Sequence, residues 1–366
     1  MKPTETLYRR GQSLWLDNIT RELLTSGTLS RYIRELHIKG LTSNPTIFDH
    51  AIKKGSAYDA VIRDQLAAGR SGERLFFELA LQDLTAAADL LLDVFERTAG
   101  VDGWVSLEVS PLLARDARST LSEAKELHAR AGRPNLYIKI PGTVEGLPAI
   151  EEAIFAGVPI NVTLLFSPAQ YLAAADAYLR GIERRIEAGL SANVSSVASL
   201  FISRWDVAVA GRVPDRLTNT LGIAIGRSAY RAYAGLLAST RWRRVLNAGA
   251  RPQRLLFAST GTKDPKASDI LYVKELHAPL TVNTVPENTL NAFADHGELG
   301  ADWVDEASGS ERALDEFRRA GLDLDALGRK LQDEGAASFV ASWNDLLSVI
   351  VDKSKTLGSR RLEKAS

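Results

Sequence analysis

Lys139 lies in the run Leu136-Tyr137-Ile138-Lys139-Ile140-Pro141-Gly142, which reads as a short buried strand halted by Pro-Gly. Residues two apart on a strand share a face, so Leu136, Ile138 and Ile140 point one way and Tyr137 and Lys139 the other. Burial disfavours the charged form of a lysine and lowers its pKa. A deprotonated amine can attack a carbonyl carbon and form a Schiff base. Taken by itself, such a lysine more often snorkels to water or pairs with a carboxylate.

The other polar residues of the strand-like runs favour chemistry. Asp17, Asn44, Glu108, Asn161, Thr163 and Ser199 all stand near the C-terminal ends of such runs. Each would cost about 1–3 kcal/mol if buried without a partner. With a ketose in their midst, Lys139 would add to the carbonyl and lose water to give an iminium, an electron sink that lets a neighbouring carbon–carbon bond break. Asp17 would take the proton from the hydroxyl at that bond. Glu108, with a water held by Thr163, would move protons while the iminium forms. Carboxylates on different strands can have different environments and different jobs. Asn44 and Asn161 would hold substrate hydroxyls.

A phosphate site is suggested by Ser199-Leu200-Phe201-Ile202-Ser203-Arg204 and by Ala258-Ser259-Thr260-Gly261-Thr262-Lys263. Small residues let backbone amides approach an anion, while Arg204 and Lys263 supply charge. No Walker loop and no Gly-x-Gly-x-x-Gly fingerprint occurs. His37, His50, His128, His277 and His296 are scattered without metal-ligand spacing, so they are not expected to hold a metal.

Eight strand candidates would position these side chains: 13–19, 40–44, 104–111, 136–142, 160–166, 194–203, 255–261 and 280–284. Helical patterns separate most of them; Leu29, Tyr32, Ile33 and Leu36, for example, make one apolar stripe. Asn44-Pro45 and Ser167-Pro168-Ala169-Gln170 are helix starts. Strands alternating with helices imply a parallel sheet, and eight close as a (β/α)8 TIM barrel, whose chemistry sits where the strand C-termini converge. An open doubly wound sheet would string the same residues along an edge. The expectation is one barrel domain over 1–366 with extra C-terminal helices. The last helix carries Phe339, Trp343, Leu346, Leu347 and Ile350 on one stripe, and residues 353–366 form a polar, basic tail expected to fray.

Composition narrows the function classes. Lys+Arg and Asp+Glu both number 45, so there is no basic excess to point to nucleic acid or an anionic membrane. The chain has no cysteine, which excludes disulfides and thiol nucleophiles. The polar N-terminus has no signal-peptide core, and Asp89 and Asp93 interrupt the most apolar stretch. A soluble, cytoplasmic protein is expected, either a monomer or a homodimer.

The chain resembles the transaldolases over nearly its whole length. The matching stretches are Leu16-Asp17, Thr42-Ser43-Asn44-Pro45, Ser106-Leu107-Glu108-Val109, Tyr137 to Thr143, Asn161 to Ser167 and Ala258 to Lys263. The last is similar to a longer bacterial branch, some of whose members are fused to phosphoglucose isomerase. The resemblance implies a (β/α)8 barrel without cofactor. It implies transfer of a dihydroxyacetone unit from sedoheptulose 7-phosphate or fructose 6-phosphate to glyceraldehyde 3-phosphate or erythrose 4-phosphate, in the pentose phosphate pathway. It also implies Lys139 as nucleophile, Asp17 as base, Glu108 with Thr163 as proton shuttle, and Asn44, Asn161 and Ser199 on the substrate. Arg204 and a second cation would hold phosphate; many relatives have arginine where Lys263 is the nearest candidate here. Two alternatives remain at this point: an aldolase that releases free dihydroxyacetone by the same iminium, and a sugar-phosphate-binding barrel without catalysis.

Overall fold

A computed structural model describes residues 2–304 and 309–363. Its strands are β1 (Gln12–Asp17), β2 (Ile38–Thr42), β3 (Trp104–Glu108), β4 (Leu136–Pro141), β5 (Ile160–Leu165), β6 (Ser196–Phe201), β7 (Gln253–Ala258) and β8 (Thr281–Val285). They pair in parallel and in sequence order, and β8 returns to β1 to close the barrel. Helices join the strands and wrap the outside, as expected for a (β/α)8 fold. All eight expected strands are present, with shifted ends. β6 is shorter than 194–203; at its end Ile202 already has a helical backbone, φ −103° and ψ −68°, and a helix begins at Ser203.

The helix starts read from Asn44-Pro45 and Ser167-Pro168 are built as their chemistry dictates. Asn44 Oδ1 accepts from Ile47 N at 3.2 Å, and Ser167 and Gln170 form a reciprocal capping box. The cap pins Asn44 at the rim of the barrel, directly after β2.

Strand alternation sends Trp15, Trp104 and Tyr137 into the barrel below the polar layer. Trp104 stacks on Tyr137 with centroids 4.0 Å apart, and Trp15 stacks on the other side at 6.2 Å. Gly40 makes room for Trp15: a Cβ there would lie 2.5 Å from the indole ring. This aromatic plug closes the barrel beneath Lys139.

The C-terminal helix, Leu324–Glu363, runs across the open end of the barrel. Trp343 is buried between Phe76 and Phe77, and Thr46 Oγ1 donates to Ser342 Oγ at 2.9 Å. The stretch from 353, expected to fray, is described as far as Glu363. Helix continues to Glu363, Lys353 pairs with Asp59 at 2.8 Å, and Leu357 is buried. Residues 364–366 lie outside the described residues. No described helix is long and apolar enough to cross a membrane.

Candidate active site

A cavity of about 360 Å³ opens at the C-terminal ends of the strands. Lys139 rises into it from β4, its side chain 7% exposed. Nζ donates to Glu108 Oε2 at 3.1 Å and to Ser43 O at 3.1 Å. The pairing is dictated by register: Glu108 on β3, Lys139 on β4 and Asn161 on β5 are successive partners in one row. Burial raises the pKa of Glu108, and the Lys139 charge pulls against that rise. Glu108 Oε1 and Thr163 Oγ1 are both buried and have no hydrogen-bond partner among the described residues.

Asp17 stands at the end of β1 on the same cavity. Its Oδ1 accepts from Thr42 Oγ1 at 2.8 Å, and Thr42 in turn meets Thr284 Oγ1 at 2.8 Å. Burial raises its pKa as well, opposed first by Lys139, then by the Thr42 hydrogen bond and by Lys263. Lys139 and Asp17 thus share one cavity, and Glu108 meets it through its bond to Lys139 Nζ.

The β6–β7 side of the cavity is cationic. Arg204 and Lys263 line it together with Ser199, Ser259 and Gly261. Among the described residues neither cation makes an ion pair, and burial lowers the pKa of Arg204. Ser259 holds a left-handed φ of 55°, a conformation that side chains rarely adopt and that is often found where a loop is shaped around a ligand.

Seven of the nine residues singled out from the sequence line the cavity, and the other two, Glu108 and Asn161, each bond to one that does. Asn44 lines it and keeps its Nδ2 free of described partners. Asn161 is different: it is fully buried beneath the wall. Its Oδ1 accepts from Ser199 Oγ at 2.7 Å and its Nδ2 donates to Ser106 Oγ at 3.1 Å, so Ser199 stands between it and the cavity. The sequence reading missed Thr46, His50, Ser338 and Phe339 on the wall. The Phe339 ring lies 5.5 Å from Lys139 Nζ. Its place on the apolar stripe of the last helix was visible, but that stripe reads simply as core.

Fold and cavity together define a (β/α)8-barrel protein with a lysine amine buried between carboxylates and facing an anion-attracting wall. Residues 14–350 match the family model described as transaldolase/fructose-6-phosphate aldolase. A transaldolase of Thermobifida fusca is 45% identical over 360 residues, covering 96% of this chain and 98% of that one. Transaldolase 1 of Streptomyces avermitilis is 43% identical, covering 97% and 96%, and a transaldolase of Mycolicibacterium smegmatis is 43% identical, covering 93% and 94%. The chain belongs to the transaldolase/fructose-6-phosphate aldolase family.

Proposed function

We infer that the protein is a transaldolase, carrying a dihydroxyacetone unit from a ketose phosphate to an aldose phosphate. The observation that carries the reading is Lys139 Nζ, buried 3.1 Å from Glu108 and sharing its cavity with Asp17, Arg204 and Lys263.

In this reading Lys139 gives a proton to Glu108 and adds to the ketose carbonyl. Glu108, whose raised pKa suits it to hold a proton, returns it so that the carbinolamine leaves water and becomes an iminium. A water held by Thr163 Oγ1 would satisfy both that hydroxyl and Glu108 Oε1 and complete the relay. Asp17 then removes the proton of the hydroxyl at the scissile bond. The bond breaks, an aldose phosphate departs, and the electron pair stays on Lys139 as an enamine. The steps run backwards onto a second aldose phosphate, with Asp17 returning its proton to the new hydroxyl. Asn44 and Ser199 hold substrate hydroxyls, Asn161 acting through Ser199. Arg204 and Lys263 bind the phosphate. The donors would be sedoheptulose 7-phosphate and fructose 6-phosphate, the acceptors glyceraldehyde 3-phosphate and erythrose 4-phosphate, all soluble sugars of the cytoplasm.

Borohydride reduction with fructose 6-phosphate, followed by peptide mapping, tests the mechanism. The adduct is expected on the Lys139 peptide, and Lys139→Ala should lose both adduct and turnover while keeping its far-UV spectrum. An active Lys139→Ala protein would remove the mechanism. The family description also covers an aldolase. Cleavage that runs equally fast without an aldose acceptor, read as free dihydroxyacetone, would favour that second reading.

A further inference from the structure

Gln332 stands two turns before Phe339 on the C-terminal helix, half-buried against the barrel rim. Its Nε2 donates to Leu164 O at 2.9 Å and to Gly142 O at 3.0 Å. Those carbonyls end two strands that carry chemistry. Leu164 follows Thr163, and Gly142 closes the run that contains Lys139. The two ends are also tied to each other, Gly142 N donating to Thr163 O at 2.7 Å.

Leu164 is held at a left-handed φ of 59°, and the β5–β6 register slips between Val162 and Leu165. Such a bulge re-aims the side chain beside it, and a non-glycine residue stays in this conformation only when its surroundings over-determine it. The C-terminal helix supplies that constraint twice. The Gln332 amide fixes the Leu164 carbonyl. Gly335, one turn on, lets the helix rest on the leucine, since a Cβ there would lie 3.0 Å from Leu164 Cδ2.

We propose that Gln332 is a positioning residue for the proton relay: by bridging Leu164 O and Gly142 O it sets the angle at which the Thr163 hydroxyl faces Glu108 and the Lys139 amine. The proposal rests on the transaldolase reading of the site. It assigns Gln332 to the making and dehydration of the carbinolamine, where Thr163 acts, and not to carbon–carbon cleavage, where Asp17 acts. Misplacing a relay by an ångström costs about ten- to a hundred-fold in rate.

The test is rapid-quench borohydride trapping with fructose 6-phosphate, following the adduct on the Lys139 peptide in time. Gln332→Met keeps the side chain's length and removes both donors. Its adduct should form about ten-fold more slowly, with the final amount of adduct unchanged. A merely structural role would lower the final amount, through a smaller folded fraction, and leave the rate alone. Gln332→Lys returns a donor and should recover most of the rate. Gly335→Ala, whose Cβ would press on Leu164 Cδ2 without touching the amide, should slow adduct formation too. A Gln332→Met rate within about two-fold of the parent overturns the proposal, as does a slowed rate that Gln332→Lys does not recover. Absence of any adduct in the parent protein would sink the transaldolase reading itself; an adduct in the parent with an equal rate in Gln332→Met would sink the positioning role alone.

Discussion

Burial pushes the carboxyl groups of Asp17, Glu108 and Glu123 upward, but only the first two have a lysine to oppose it. Glu123 lies on the helix after β3, and its Oε2 accepts from Ser110 N at 2.6 Å, two residues beyond Glu108. Burial, reinforced by Glu73 and Glu126, raises its pKa to about 7 against the Ser110 hydrogen bond. A carboxyl raised in the folded state stabilises the fold below its unfolded pKa and loses that contribution as pH rises through the folded value. The window here runs from 4.5 to about 7. Over it the parent should lose no more than about 3 kcal/mol from this group, less for its partial exposure. Glu123→Gln keeps an acceptor for Ser110 N but has no proton to lose. Denaturant melts at acid and at mildly alkaline pH should therefore show the variant gaining on the parent as pH rises; an equal gap at both ends would refute the assignment. Arg204 makes the complementary case for charge. Arg204→Ala should raise KM for fructose 6-phosphate about 10- to 100-fold, the worth of a charge-assisted hydrogen bond. Cleavage of unphosphorylated fructose should not change; an equal loss for both sugars would separate Arg204 from the phosphate.

At the scale of elements, the site depends on inward residues stacked in layers along each strand. Asp17 sits two residues above Trp15, and Lys139 two above Tyr137, so the aromatic plug sets the height of both. Gly40→Ala would drive a Cβ into the Trp15 ring and should cost about 1–3 kcal/mol, as overpacking does. Thermal melting should fall, and kcat should fall with it because Asp17 shifts; a variant with parental melting and activity would show that the plug yields freely. This layering is also why so much was legible in the sequence. Period-two alternation names the inward residues of one strand, and Pro-Gly after Ile140 or Asn44-Pro45 after β2 marks where the rim lies. Alternation does not give height across strands. Asn161 and Thr163 share a face of β5, yet only Thr163 reaches the cavity, because register sets Asn161 level with Lys139 at the base of its side chain. Thr46, His50, Ser338 and Phe339 escaped because they belong to helices, where an apolar stripe announces burial without saying against what.

At the scale of the molecule, the cavity is walled partly by the barrel and roofed by one helix. That helix, Leu324–Glu363, is fixed on both sides of the opening: by Gln332 at β4 and β5, and by Ser342, Trp343 and Lys353 against the helices after β2 and before β3. Trp343 is the largest of these anchors, 1% exposed and edge-on to Phe76 at 4.9 Å. Trp343→Ala removes most of that packing, a loss of about 3–5 kcal/mol. Its indole N–H has no partner among the described residues, so the true cost should fall toward the lower figure. Phe76 and Phe77, on which Trp343 packs, belong to the helix Gly72–Arg97 and not to a strand, so the damage should stay with the roof. Hydrogen exchange should rise over residues 336–357 while the amides of β4 to β7 keep their protection. Activity should fall in step with that local opening, since Phe339 leaves the Lys139 amine to water. Equal loss of protection in strands and helix would mean instead that roof and barrel fold as one unit, and that the site has no separately movable wall.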